Sequence, residues 1–205
     1  MYKGERFNSI SHLIGAIFAL AGMTVLITLA AQQADIWKIV SFSIYGTTLF
    51  LLYSISTLYH SWRGPAKMFF RKLDHLAIYL LIAGSYTPFT LVTLRGPWGW
   101  SLFGAVWILA LGGIILDSMH SSGKRTLQIT IYVLMGWMIV IAIFPLMKNL
   151  PSEGIFWLAL GGVFYTAGIV FYVFDKKLRH GHGIWHMFVL AGSASQYVSI
   201  LLYVA

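Results

Sequence analysis

The 205-residue chain has no cysteine, which excludes disulfides, thiolate metal sites and thiol nucleophiles together. Charge is almost as scarce. Asp, Glu, Lys and Arg make up 10% of the residues, against roughly 25% in an ordinary soluble domain. With so few charges and 59% hydrophobic residues, a water-soluble fold could not cover its surface. The composition is that of an integral membrane protein. Linkers and low-complexity tracts are also missing, and no loop is long enough to hold a soluble domain. The opening "MYKGERFNSISH" lacks the short apolar core and small-residue cleavage site of a signal peptide. The first hydrophobic run is therefore expected to stay in the mature protein.

What remains is dominated by seven long apolar runs, over residues 12–31, 37–60, 73–94, 99–117, 127–147, 154–174 and 184–204. Each is near the ~20 residues that a helix needs to cross a bilayer core. The runs are continuously apolar and lack the alternation of a transmembrane β-barrel strand. The fold class predicted is an all-α integral membrane protein, one seven-transmembrane-helix bundle spanning 1–205. The expected location is the cell (plasma or inner) membrane, multi-pass.

The formal charge of +8 comes from basic residues lying between the apolar runs, so no nucleic-acid partner is expected. Those residues set topology and meet anionic head groups instead. The N-terminus and the second, fourth and sixth loops hold eleven of the fourteen Lys and Arg residues. The positive-inside rule then puts the N-terminus in the cytoplasm and the C-terminus outside, as an odd number of spans requires. Trp37, Trp98, Trp100 and Trp157 fall near the predicted outer ends.

All seven histidines fall in the predicted cytoplasmic half. His182 and His186 are four apart at the start of the last run, the spacing that lets two imidazoles on one helical face reach one ion. His60 ends the second run at the same depth, with Ser56 one turn away on the same face. Asp74 enters the third run there, and a carboxylate entering a bilayer is costly unless it is paired or functional. Three imidazoles with an open fourth position describe a catalytic zinc site rather than a closed structural one. In such a site Asp74 would orient or deprotonate water, and Ser56 would bond the water, a ligand or a developing oxyanion.

Plainer readings stand beside these. His60 alone would serve as a helix-end residue, and Asp74 could pair with Arg71, Lys72 or His75 or stabilise the start of its helix. Ser56 could be a small packing residue. His12, His75, His120 and His180 read as structural or interfacial, with His180 the substitute ligand if one has been mis-chosen. Pro88 in "GSYTPF" is expected to kink the third run, with Ser85 or Thr87 meeting the freed backbone groups.

The segments "SISTLYH", "RKLDH", "GSYTPF" and "HGIWHMF" resemble the signatures of the haemolysin III branch of the progestin and adipoQ receptor (PAQR) family. The resemblance runs from "ERFNSISHLIGA" to the last span. It implies seven spans with the N-terminus inside, and a zinc ion (Zn2+) held by His60, His182 and His186. It also implies roles for the Ser56 and Asp74 positions. The wider superfamily pattern is associated with membrane hydrolases of lipid amides, alkaline ceramidases among them.

The leading expectation is a zinc-dependent hydrolase of a membrane lipid amide or ester, with catalytic Asp74 and Ser56. A receptor or regulator of membrane lipid state with structural zinc, and a haemolysin-type cytolytic protein, are the alternatives. A channel-forming cytolysin would need polar residues through the bilayer, and the outer halves of the runs are almost uncharged. Retinal binding is excluded because the last run has no lysine for a Schiff base. A secondary transporter would favour midplane charges and related half-sequences, and neither is seen.

Overall fold

In a computed structural model, the seven apolar runs form seven helices, each long and apolar enough to cross a membrane. The structure describes residues 1, 4–119, 125–175 and 177–205. The helices are α1 (Arg6–Gln32), α2 (Ile36–Ser61), α3 (Gly64–Thr93), α4 (Pro97–Met119), α5 (Arg125–Asn149), α6 (Ser152–Val173) and α7 (Gly181–Tyr203). Among the described residues there is no strand. Lys3, His120, Lys124 and Lys176, which enter the reading of topology or of the histidines, lie outside the described residues.

Each helix packs on its neighbour in sequence, and α1 also packs on α7, so the bundle closes into a ring. α3 touches α2, α4 and α5 and is the most enclosed of the seven. Several helices begin earlier than hydropathy predicts: α1 at Arg6 rather than 12, α3 at Gly64 rather than 73. The extra turns carry Lys and Arg, whose long stems let their charges reach the interface while the backbone stays helical.

Two helices are interrupted. After Pro88, α3 continues as a wider π-type turn over Phe89–Thr93, where the Leu94 amide donates to the Phe89 carbonyl at 2.8 Å. Ser85 and Thr87 donate to the carbonyls of Ile82 and Ala83. They do not meet the Gly84 carbonyl, which loses its N–H partner to Pro88. The second break was not expected. α5 tightens to a 3-10 turn over Met138–Ala142 before resuming as Ile143–Asn149. Pro145 thus sits in the first turn of the resumed segment, where a missing N–H is tolerated. Tyr86 of α3 closes the gap: its hydroxyl donates to the Gly136 carbonyl at 2.8 Å and accepts from the Ile139 amide at 2.9 Å. Bilayer-depth backbone must find such partners inside the protein.

Small residues let the helices approach. A Cβ on Gly183 would stand 2.9 Å from the Phe7 ring and 3.1 Å from the Asn8 amide oxygen. Glycine lets the start of α7 lie close against the start of α1 without displacing these side chains, and this approach positions one edge of the site.

Candidate metal centre

His60 lies in the last turn of α2, and His182 and His186 lie one turn apart at the start of α7. The bundle brings these three rings together. One ring nitrogen from each falls within 4.8 Å of the other two, the arrangement of a group able to hold a metal ion. His60 Nε2 and His182 Nε2 are 3.3 Å apart. His60 and His186 are only 1% and 2% exposed, so water does not satisfy these rings from outside.

Each ring is held from behind through Nδ1. His60 Nδ1 donates to Glu5 Oε2 at 2.6 Å. His182 Nδ1 stands 3.5 Å from Asp175 Oδ2. His186 Nδ1 donates to the Asn8 carbonyl at 3.2 Å, with the Ser11 hydroxyl 3.4 Å away. A proton committed to Nδ1 leaves the Nε2 lone pair free, and the tautomer of each ring follows from these partners. With Nδ1 carrying the proton in each ring, the Nε2 atoms of His60 and His182 face one another without an N–H between them, and the three rings form a group that could hold a cation.

Burial works to raise the pKa of Glu5, but its bonds to His60 and to Lys67 outweigh that effect and hold the carboxyl well below the usual carboxylate range. Glu5 therefore stays ionised behind His60.

Asp74 and Ser56 stand beside the three histidines. Ser56 is buried and lines the same cavity wall as the Asp74 carboxyl. The rival pairing does not form: among the described residues Asp74 has no ion pair, and Lys72 Nζ donates instead to the Ser118 carbonyl at 3.2 Å. Asp74, Ser56, His182 and His186 line one end of a cavity of about 290 Å³, whose remaining wall is chiefly apolar side chains from α3, α5, α6 and α7.

The other histidines divide. His12 is buried and stacks on His186, ring centroids 3.7 Å apart and planes 13° from parallel, with both ring nitrogens unbonded. His75 meets the Tyr172 hydroxyl through Nε2 at 3.4 Å. His180 is exposed in a left-handed turn (φ 65°) ahead of α7 and does not join the cluster, so it does not replace a ligand.

The chain aligns over almost its full length with known proteins. The family model described as "Haemolysin-III related" matches residues 1–197. The chain belongs to the haemolysin III-related family. Hemolysin-3 of Bacillus cereus is 45% identical over 203 residues, covering 98% of this chain and 92% of that protein. The Hemolysin-3 homolog of Bacillus subtilis (strain 168) is 43% identical over 202 residues, covering 98% and 94%. A more distant relative, the human Monocyte to macrophage differentiation factor, is 29% identical over 202 residues, covering 96% of this chain and 82% of its own. As a haemolysin III-related protein with seven apolar helices, the chain is a multi-pass membrane protein, and its histidine triplet can hold a metal.

Glu5, Asn8 and Asp175 escaped the sequence reading, which weighed the histidines and the carboxylate entering the third run. A signal for them exists. Four of the six acidic residues (Glu5, Asp74, Asp117 and Asp175) fall on the side of the histidines, and a chain this poor in charge places few without use.

Proposed function

We propose that this haemolysin III-related protein is a zinc-dependent hydrolase of a membrane lipid amide or ester. Its centre comprises His60, His182 and His186 as ligands and Asp74 and Ser56 as reacting-side residues, on the cytoplasmic side of the membrane. The observation that carries the reading is the placement of three Nδ1-anchored imidazoles beside a carboxyl and a hydroxyl at the head of an apolar cavity.

The donor set fits zinc. Tetrahedral zinc with bonds of about 2.0–2.1 Å puts neighbouring nitrogens about 3.3 Å apart, and His60 and His182 present theirs at 3.3 Å. Among the described residues no fourth protein ligand joins the triplet. This favours an open, catalytic site over a closed structural one. When bound, zinc supplies a Lewis acid that polarises a carbonyl and acidifies water.

The chain's own groups supply the rest. The half-buried Asp74 carboxylate takes a proton from the attacking water and returns it to the leaving amine or alcohol. Ser56, beside Asp74 on the cavity wall, offers its one O–H donor to charge developing on the substrate oxygen. The apolar cavity wall holds an acyl chain out of water and presents its carbonyl to the polar end. Such a substrate is itself a bilayer component, so entry is from the membrane.

The test is turnover. Purified protein in lipid nanodiscs, offered a panel of long-chain amides and esters, is expected to release free fatty acid. Asp74→Asn is expected to lower the rate by about 10²–10⁴-fold while keeping the bound metal. Equal rates for wild type and Asp74→Asn would remove Asp74 from the chemistry. No release from any substrate by zinc-loaded wild type would leave only the metal site.

A further inference from the structure

Two of the three histidines are backed by the same construction, built twice from unrelated parts of the chain. Behind His60 stands Glu5, and Glu5 Oε1 accepts from Lys67 Nζ at 2.6 Å. Behind His182 stands Asp175, whose two oxygens accept from Arg125, Nη1 to Oδ1 at 3.2 Å and Nη2 to Oδ2 at 3.1 Å. Each arm runs cation, carboxylate, imidazole. The first joins the segment before α1, the end of α2 and the start of α3. The second joins the start of α5, the turn after α6 and the start of α7. The third histidine, His186, has among the described residues only neutral partners behind it, the Asn8 carbonyl and the Ser11 hydroxyl.

Resting on the reading of the triplet as a metal site, we propose that Glu5 and Asp175 are positioning residues for that metal. They act through His60 and His182, and Lys67 and Arg125 hold them in place. An anion on Nδ1–H raises the basicity of the opposite nitrogen and fixes the ring plane, and loss of such a partner lowers metal affinity about tenfold to a hundredfold. The cations matter because an unanchored carboxylate would turn outward to water. Arg125 is held in turn by the Tyr172 carbonyl, to which Nη2 also donates, and by the Tyr172 ring, 4.1 Å from its guanidinium carbon. The arms are unequal. The contact to His60 is 2.6 Å and that to His182 is 3.5 Å, so Glu5 is the stronger of the two. The segment Glu5–Asn8 then serves two ligands at once, Glu5 behind His60 and Asn8 behind His186.

The experiment measures zinc affinity of the full-length protein in detergent by competition with a chromophoric chelator. Wild type is compared with Glu5→Gln, Asp175→Asn, Glu5→Asp and Lys67→Gln. Unfolding of the metal-free proteins and the absorption spectra of their cobalt-loaded forms are recorded alongside. Glu5→Gln is expected to weaken zinc by about tenfold to a hundredfold and Asp175→Asn by the lower end of that range. Glu5→Asp recovers part of the loss, and Lys67→Gln gives a smaller loss of the same kind. The cobalt spectrum shifts in Glu5→Gln while the metal-free unfolding midpoint holds. Affinities equal to wild type in Glu5→Gln and Asp175→Asn would overturn the proposal. So would a loss that tracks the metal-free midpoint with an unchanged cobalt spectrum, since the carboxylates would then serve only the fold. If Glu5→Gln does not fold, Lys67→Gln decides alone, wild-type affinity there overturning the His60 arm. Wild type that takes up no zinc would instead remove the metal site itself, a different failure.

Discussion

Where α1 turns into α2, Asp35 accepts from the amides of Trp37 and Lys38, two and three residues ahead, and Lys38 reaches back to Gln33. At the same end Asn149 bonds the Pro145 carbonyl and Ser152 bonds Glu153. At the opposite end Glu5 meets His60 across 55 positions, Tyr79 meets Asp117 across 38, and Arg125 meets Asp175 across 50. The first end uses most of its polar side chains to finish its own helices, the Ser199 bond to the Gly154 carbonyl being an exception; the other joins different helices through paired, charged side chains. Local bonds of the first kind satisfy helix-terminal amides that any helix must deal with. Bonds of the second kind demand that several helices be placed at once, and nothing in helix formation calls for them. Their concentration around His60, His182 and His186 is what marks that end as the working one.

Changes at the two ends should therefore differ in kind as well as size. The largest effect on stability is expected from Gly183→Leu, which drives a branched side chain into the gap between α7 and Phe7 and Asn8. Overpacking of this sort costs about 1–3 kcal/mol. It also separates Asn8 from His186, so both the thermal midpoint and the zinc affinity should fall. A variant that loses stability but binds zinc as wild type does would show that the α1–α7 approach is not part of the site. The smallest effect belongs to Asp35→Ala, the loss of a helix cap at the far end, worth about 1 kcal/mol. Unfolding should shift modestly and zinc affinity should not move. A change in affinity there would erase the distinction between the ends.

Much of this was readable before any coordinates. The seven spans follow from the length and continuity of the apolar runs, because lipid permits few other solutions. The ligand triplet follows from spacing and depth: His182 and His186 share a helical face, and His60 ends its span at the same level. The break in α5 at Met138–Ala142 was hidden because every residue across it is apolar, and hydropathy does not register which backbone amides are bonded. Its partner, Tyr86, lies some fifty residues away on another helix. Glu5 and Asp175 were hidden for a related reason. Each sits outside the apolar runs in a charged stretch that reads as topology signal, and only the closure of the bundle sets it behind a histidine. His12 read as a structural residue; it lies outside the triplet and stacks on the His186 ring at the cavity wall.

The most direct test of the central claim is elemental analysis of the purified protein, prepared with zinc supplied and chelators avoided. Wild type is set beside His186→Ala and Asp74→Ala. The account predicts one zinc per chain in wild type, retained in Asp74→Ala and lost in His186→Ala. Wild type without metal, or His186→Ala with a full complement, would contradict it.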